Sequence, residues 1–239
     1  MNWRVFHKAV TDSTNRDARA GSPGDVFTAD FQTAGRGRLG HRWLSPPGAN
    51  LMMSAVVGVG GLEPGHAATL PLVAGLSVVE AVASLLGPSA PSVALKWPND
   101  VLAGGRKIAG ILCERGGDAV VVGIGVNVGE RAFPREIAGR ATSFALLAQR
   151  APAVADVRDA VLARLAANVS RWRADGFAAV LPRIASVDFL KGREVSVLRT
   201  DADGAPARGL SGGIADDGSL LVAGERVYAG EAHVEGVGG

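Results

Sequence analysis

The residues of this chain that could do chemistry are concentrated in two basic segments. The first is Gly35-Arg36-Gly37-Arg38-Leu39-Gly40, which combines three glycines with two arginines, and the second is Arg106-Lys107 at the start of an apolar run. Glycine lets backbone amides approach a ligand closely, and guanidinium groups bind the oxygens of phosphates and carboxylates. The two segments together predict a site that holds two anions at once.

The spacing of Gly35, Gly37 and Gly40 matches the fingerprint of dinucleotide-binding proteins, but the residues that follow exclude that function. The fingerprint requires a helix that begins within the loop, whereas here Pro46-Pro47 soon follows and does not continue a young helix. A protein-kinase glycine loop is excluded as well, because the chain has no His-Arg-Asp or Asp-Phe-Gly segment. Taken alone, the segment is also compatible with a mobile surface loop.

A second chemical motif, Lys96-Trp97-Pro98-Asn99-Asp100, stands at the end of a predicted strand. Pro98 favours an extended Trp97 and Asn99 favours a turn, so the carboxylate of Asp100 is presented at the edge between strand and loop. Mg²⁺ is commonly held by one carboxylate together with phosphate oxygens. Asp100 is therefore a candidate magnesium contact, and a plain Asx turn is the alternative.

Lys107 lies in a strand whose other residues are mainly apolar. Alternation with period two predicts that Lys107 shares one face with Ala109, Ile111 and Cys113, while Arg106 shares the other with Glu114. An ammonium group on an apolar face is costly unless it meets an anion, which favours a pocket lysine over a solvated one.

The next strand ends in Gly123-Ile124-Gly125-Val126-Asn127, whose small residues would suit either a flat ligand ring or a close-packed strand crossing. Cys113 is most simply a small core residue. No serine elbow, histidine base or cluster with metal-ligand spacing accompanies it, so the sequence gives no support to nucleophilic or zinc chemistry.

These residues must be positioned by strands, one long apolar helix and a second helical segment. We predict helices at 14–20, 65–87 and 154–174, and strands at 26–32, 51–57, 93–97, 107–114 and 119–127. After about residue 188 the pattern changes to short β runs broken at Asp203-Gly204, Gly212-Gly213 and Asp217-Gly218. The pattern predicts two domains, residues 1–188 and residues 189–239.

The composition limits the functional classes. The formal net charge of the 239 residues is only +2, so no global field attracts nucleic acid and any anion site must be local. The single cysteine excludes an internal disulfide and suits a reducing compartment. Without the pattern of a signal peptide we expect a cytoplasmic protein, and we expect the apolar stretch from Ala67 to Leu86 to be a buried helix rather than a membrane span.

Taken as a set, these motifs closely resemble those of the biotin–protein ligases, also called biotin–[acetyl-CoA-carboxylase] ligases. In order and spacing the matching segments cover nearly the whole chain. They are Ser13-Thr14-Asn15, Gln32-Thr33-Ala34-Gly35-Arg36-Gly37-Arg38, Gly48-Ala49-Asn50-Leu51, Lys96-Trp97-Pro98-Asn99-Asp100, Arg106-Lys107-Ile108-Ala109-Gly110-Ile111-Leu112, Gly123-Ile124-Gly125-Val126-Asn127 and Ala141-Thr142-Ser143.

The resemblance implies an α+β fold, in which a mixed-sheet catalytic domain similar to class II aminoacyl-tRNA synthetases is followed by a small SH3-like β-barrel. It also implies a reaction in two steps. Biotin and ATP, with Mg²⁺, give biotinyl-5′-AMP and pyrophosphate, and a lysine of a biotin carboxyl carrier domain then attacks the mixed anhydride. Fixed cations would offset the repulsion between the two anionic reactants, and positioning would supply the rest.

The roles of individual residues follow from the same resemblance. Ser13, Thr14, Asn15 and Gln32 would bind the rings of biotin, and Gly110 would leave room for its tail. The loop residues Gly35, Arg36, Gly37 and Arg38 would close over valerate and phosphate. Lys107 would bridge the carboxylate and the α-phosphate, and Lys107 and Arg38 are the candidate catalytic residues.

On the nucleotide side, the implied ATP-binding residues are Arg38, Arg42, Asn50, Lys96, Asp100, Lys107 and Asn127, with Asp100 as the magnesium contact. His41 stands where the family often has another arginine, so the part that this position plays in ATP binding is open.

The front of the chain offers no room for the DNA-reading helix-turn-helix that some family members carry. We therefore expect a ligase alone, with neither DNA nor membrane among its partners. Two alternatives stay open: a lipoate ligase on the same fold, against which the glycine-rich loop argues, and a biotin-responsive regulator without turnover. The sequence is compatible with a homodimer and leaves the oligomeric state and the acceptor carboxylase open.

Overall fold

Two β-sheets and six helices build the part of the chain that the structure, a computed structural model, describes, which is residues 2–200 and 205–235. The strands are β1 (Arg4–Thr11), β2 (Asp25–Gln32), β3 (Leu51–Gly58), β4 (Val93–Lys96), β5 (Asp100–Ala103), β6 (Arg106–Gly116), β7 (Ala119–Val126), β8 (Glu194–Arg199), β9 (Ala207–Ile214), β10 (Leu220–Val222), β11 (Glu225–Val227) and β12 (Gly230–Val234). The helices are α1 (Thr14–Ala18), α2 (Pro64–Ala68), α3 (Leu70–Leu86), α4 (Phe144–Leu147), α5 (Val154–Asp175) and α6 (Leu181–Ser186).

The larger sheet has seven strands in the order β1-β2-β3-β7-β6-β5-β4. Strands β1 and β2 run parallel and the other neighbours run antiparallel, so the sheet is mixed, as expected. One face packs on α3 and α5 around a core of buried aliphatic residues. The opposite face carries glycines and polar groups and holds the candidate site.

The predicted long helix is interrupted, and α2 and α3 replace it. Pro71 stands in the first turn of α3 and has no N–H to continue the hydrogen-bond ladder from α2, but a proline is tolerated at that position. The segment Pro64–Leu86 is long and apolar enough to span a membrane, with a mean hydropathy of 1.9 over its 18-residue window, but 67% of that window is buried inside the protein. Its longer part, α3, serves here as a core helix.

The smaller sheet is antiparallel, with the strand order β11-β10-β9-β8-β12. The predicted turn at Asp217-Gly218 is confirmed, because it joins β9 to β10. The predicted break at Gly212-Gly213 is wrong, because β9 runs through both glycines, and the one at Asp203-Gly204 lies outside the described residues. The division into residues 1–188 and 189–239 stays a prediction. The two sheets share one core, and the indole N–H of Trp97 donates to the carbonyl of Gly218 at 3.1 Å.

Two strands of the larger sheet, β1 and β5, were not predicted from the sequence. Strand β1 is an edge strand whose residues are almost all exposed, so its sequence lacks the alternation that marks a half-buried strand. Strand β5 is only four residues long and forms a tight hairpin with β4, in which Lys96 is paired with Asp100.

The predicted faces of β6 are wrong because the strand contains a bulge. The pairing with β5 shifts between Val101, opposite Ala109, and Leu102, opposite Lys107, which leaves Ile108 as the extra residue. Beyond the bulge, Lys107 therefore shares its face with Gly110 and not with Ala109. The bulge turns the lysine side chain away from the core and towards the opposite face of the sheet.

Candidate active site

One end of the site is a hydrogen-bonded group on α1 and the strands beside it. The carboxamide oxygen of Gln32 accepts from the backbone N–H of Thr14 at 2.8 Å, whereas the hydroxyl of Ser13, at the N-cap position of α1, makes no capping hydrogen bond. The hydroxyl of Ser54 lies 2.8 Å from that of Thr14 and donates to Oδ1 of Asn15 at 2.6 Å. Ser13, Thr14 and Asn15 are buried, so this is a buried, hydrogen-bonded polar cluster.

Asn15 lies flat against the sheet because Gly123 leaves the space for it. A Cβ at Gly123 would collide with the carboxamide of Asn15. The Nδ2 group of Asn15 donates to the carboxylate of Glu114 at 2.7 Å and to the carbonyl of Leu112 at 3.3 Å. Glu114 also accepts from Arg19 at 2.9 Å and lies 3.8 Å from Arg36.

The glycine-rich segment folds into a tight hairpin over the sheet. Its backbone is closed by Gly37 N–H to His41 O at 2.7 Å, by Trp43 N–H to Gly35 O at 3.0 Å and by an antiparallel bridge between Arg36 and Arg42. A single turn of 3₁₀ helix follows Gly37 instead of the long helix that a dinucleotide fingerprint requires, which confirms the rejection of that function.

Trp43, at the end of this hairpin, forms a wall of the site that the sequence did not reveal. Its indole lies against Gly110 and Gly125 on neighbouring strands, and Nζ of Lys107 lies 5.9 Å from the ring centroid. The indole Nε1 is buried and has no hydrogen-bond partner in the described part of the chain. Gly110 and Gly125 lack a Cβ, and this leaves the space that the Trp43 indole occupies.

This arrangement predicts that Gly125→Ala weakens the binding of a ligand beside the Trp43 indole. The new methyl group would lie 2.5 Å from the Trp43 indole and would push it from the sheet. Overpacking of this kind costs about 1–3 kcal/mol, so we expect the Kd of a ligand bound beside Trp43 to rise by about tenfold or more. Gly116→Ala is the control, because nothing lies within 4 Å of the position of its Cβ. An unchanged Kd and unchanged tryptophan fluorescence in Gly125→Ala would contradict this packing.

The other end of the site is a cluster of opposite charges around Asp100. Its carboxylate lies 2.6 Å from Nζ of Lys107. Burial lowers the pKa of both Arg38 and Lys96, and the negative charge of the nearby Asp100 partly opposes that shift. The structure thus brings these four residues, which come from three separate segments, into one cluster.

Two further charged residues complete this cluster. Glu231, from β12 of the small sheet, acts electrostatically on Arg38 and Lys96, and Arg140 acts on Lys96. Arg38 also donates to the carbonyl of Gly230 at 3.3 Å and to Oδ1 of Asn99 at 3.4 Å. The smaller sheet therefore borders the cationic end of the site.

Other sequence-predicted residues lie near the site but are committed to structural contacts. Asn50 is buried, with Oδ1 accepting from Val128 N–H and Nδ2 donating to Glu130. Nδ2 of Asn127 donates to the carbonyl of Thr142 at 3.0 Å. The guanidinium of Arg42 reaches the carbonyl of Thr33 at the base of the loop.

The described residues 2–200 and 205–235 contain no group of three or more His, Cys, Asp or Glu side chains that could hold a metal ion. Asp100 therefore offers one carboxylate. That is enough to contact a Mg²⁺ ion that is also bound by phosphate oxygens, but it does not form a complete metal site made of protein ligands. Cys113 packs against the core, as predicted, and burial raises the pKa of its thiol to about 12.

The candidate site therefore combines a buried polar cluster at one end with a cluster of cations at the other. A family model described as the biotin/lipoate A/B protein ligase family matches residues 9–129. The chain belongs to this family. Within it, the similarity is to biotin ligases, and the protein is an enzyme of the ligase class.

Two curated relatives illustrate the similarity. The biotin–[acetyl-CoA-carboxylase] ligase of Paracoccus denitrificans is 35% identical over 233 residues, which cover 90% of this chain and 92% of the relative. The enzyme of the same name from Mycobacterium tuberculosis is 41% identical over 178 residues, 72% of this chain and 66% of the relative.

Solved structures agree with the fold. A biotin protein ligase from Aquifex aeolicus, in complex with biotin and ATP, superposes with a TM-score of 0.86 at 31% identity, covering 97% of this chain and 99% of that one. The biotin protein ligase of Leishmania major, in complex with biotinyl-5-AMP, gives 0.66 at 26% identity, with 98% of each chain covered.

Proposed function

We propose that this protein activates biotin with ATP to form biotinyl-5′-AMP and transfers the biotinyl group to a lysine of a biotin carboxyl carrier domain. The observation that carries the proposal is the order of groups along one face of the sheet: Asn15 lies against Gly123, Trp43 lies against Gly125, and Nζ of Lys107 lies 5.9 Å from the Trp43 ring. A polar cluster at one end of this row and cations at the other suit a ligand with a polar ring at one end and a carboxylate at the other.

In the first step a carboxylate oxygen of biotin attacks the α-phosphorus of ATP, the bond to the bridging oxygen breaks, and pyrophosphate leaves with the electron pair. Lys107 stands where both anions must meet, and its ammonium group can contact the attacking carboxylate and the α-phosphate together. Such fixed charges stabilise the transition state without reorganising. Arg38 and Lys96 would hold the other phosphate oxygens, and Arg42, Asn50 and Asn127 would border the nucleotide.

Mg²⁺, when bound with ATP, would neutralise phosphate charge, and Asp100 is the residue that would contact it. In the structure the carboxylate of Asp100 is already surrounded by Lys107, Lys96 and Arg38. A divalent cation alone would be repelled by these groups, so we expect it to bind appreciably only together with the triphosphate.

In the second step the amine of the acceptor lysine attacks the carbonyl of the anhydride, and AMP leaves. The direct test is biotin transfer to an isolated carrier domain, detected by mass, with a Lys→Arg carrier as control. Incorporation of one biotinyl group that requires ATP and the acceptor lysine supports the proposal. Equal transfer of lipoate would overturn the choice of substrate within the family.

The glycine-rich hairpin is proposed to close over the adenylate and to exclude water from the anhydride. We expect biotin with MgATP to slow proteolysis within residues 35–42 by about tenfold or more, because an ordered loop must open locally before it is cut. Cleavage at the same rate with and without ligands, followed by mass spectrometry of the fragments, would contradict this role.

We further propose that the larger sheet belongs to a catalytic domain related to class II aminoacyl-tRNA synthetases and that the smaller sheet is an SH3-like terminal barrel. The five-stranded antiparallel sheet and the mixed seven-stranded sheet support these proposals.

A further inference from the structure

Glu114 connects three elements of the structure: strand β6, the α1 segment and the glycine-rich hairpin. It stands on β6, beyond the residues that β5 covers, and its side chain is about one quarter exposed. One carboxylate oxygen accepts from Asn15 at 2.7 Å. The other accepts from Arg19 at 2.9 Å and lies 3.8 Å from the guanidinium of Arg36. The donors come from α1 and from the glycine-rich hairpin.

The first consequence concerns the orientation of Asn15. Its carboxamide lies between a donor, the hydroxyl of Ser54, and an acceptor, the carboxylate of Glu114. The Ser54 hydroxyl can donate or accept, but the carboxylate of Glu114 can only accept, so it fixes the amide nitrogen on its own side and leaves the oxygen to Ser54. Glu114 therefore decides which polar edge Asn15 presents to a ligand in the pocket.

The second consequence concerns the hairpin. The hairpin residues 34–42 line a cavity of about 640 Å³ together with Leu112 and Glu114. Arg36 reaches across this cavity to Glu114, and it is the hairpin cation nearest to an acid of the sheet. The attraction draws the base of the hairpin towards β6. Partial burial alone would raise the pKa of Glu114. The hydrogen bonds from Asn15 and Arg19 and the positive charges of Arg19 and Arg36 outweigh burial and hold this pKa below its usual value.

We infer that Glu114 is a positioning residue for biotin recognition, which couples the orientation of Asn15 in the ring pocket to the placement of the glycine-rich hairpin through Arg36. The inference rests on the proposed function, because it assigns the ring pocket to biotin. Glu114 itself need not contact the ligand.

The test is biotin binding to the whole protein by calorimetry, without ATP, combined with steady-state kinetics. Glu114→Gln replaces one carboxylate oxygen by an NH₂ group, which cannot accept a hydrogen bond from Asn15, Arg19 or Arg36. Hydrogen bonds to charged groups have net values that correspond to about tenfold to a hundredfold in affinity. We expect Kd and KM for biotin to rise by about that factor, with kcat and KM for ATP within about twofold. Glu114→Asp keeps the charge and should recover part of the loss.

Arg19→Ala is the matched control, because Arg19 is an exposed residue at the end of α1 that donates to the same carboxylate. It removes one contact of Glu114 with the end of α1, while Asn15 and Arg36 keep their partner. We expect near-wild-type Kd for biotin in Arg19→Ala, and faster proteolysis of residues 35–42 only in Glu114→Gln.

Three results would overturn the inference: an unchanged Kd in Glu114→Gln, a parallel rise in KM for biotin and ATP, or the same loss in Arg19→Ala. A wild-type protein that does not bind biotin would instead overturn the proposed function, and this inference with it. Wild-type binding with an unaffected Glu114→Gln variant would overturn the role of Glu114 alone.

Discussion

Lys107→Ala is expected to abolish biotin-dependent exchange of pyrophosphate into ATP, with a loss of at least about a thousandfold, the upper range for removal of one fixed group that stabilises developing charge. The alanine leaves Asp100 without its partner at 2.6 Å. It also leaves the carboxylate of biotin to approach a triphosphate without the cation placed between them. The loss should appear in kcat as well as in kcat/KM, because the interaction strengthens as the two anions meet.

Two variants separate this role from a general effect of charge. Lys8→Ala removes an exposed lysine of β1 that pairs with Asp17, far from the cationic cradle, and should leave exchange unchanged. Lys107→Arg keeps the charge but changes the shape, and should recover little activity because a guanidinium fork does not occupy the position of a compact ammonium group. Exchange by Lys107→Ala at more than about a tenth of the wild-type rate would contradict the assigned role.

The second large effect is expected for Asp100→Asn. The change removes the carboxylate that would contact Mg²⁺, and it leaves Lys96, Arg38 and Lys107 with less compensation for their mutual repulsion. We expect exchange to fall by about a hundredfold or more, and the Mg²⁺ concentration for half-maximal rate to rise. The measurement is a magnesium titration of the exchange rate at saturating biotin and ATP.

Asp159→Asn provides the comparison, since Asp159 is an exposed acid on α5 that pairs only with its neighbour Arg158 among the described residues. Its magnesium titration should follow that of the wild type. If Asp100→Asn lowers the rate without any change in magnesium dependence, Asp100 acts by orienting Lys107 and does not contact the metal.

Much of the architecture was predictable because it follows from periodicity. The strands at 51–57 and 119–127 and the helix at 154–174 were predicted within about two residues of β3, β7 and α5. Strand β1 was not, because it is an edge strand exposed on both faces. The interruption between α2 and α3 had a signal in Pro71, whose missing N–H breaks the hydrogen-bond ladder.

The face of β6 that carries Lys107 could not be predicted by counting residues. Alternation assigns it to the core side, and the bulge at Ile108 reverses that assignment. A bulge depends on the register with the neighbouring strand, which one strand's sequence does not contain. The sequence did indicate that a lysine among apolar residues needs an anion, and the structure places Lys107 in a charged cluster with Asp100.

The site residues that the sequence did not reveal have one property in common: their roles depend on long-range contacts. Trp43 matters because it covers Gly110 and Gly125, and Glu114 because it meets Asn15 and Arg36. Glu231 comes from the other sheet. The glycines at 123 and 125 were the one local signal, because a strand with so little side-chain volume must have something lying against it.

The most direct measurement is to identify the ligand that the wild-type protein retains after incubation with biotin and MgATP without a carrier domain. A pocket for a ring and a cradle for two anions, joined in one site, predict that mass spectrometry finds biotinyl-5′-AMP, with one pyrophosphate released per protein. Biotin and ATP recovered unchanged, or lipoyl adenylate formed equally well when lipoate replaces biotin, would contradict the central claim.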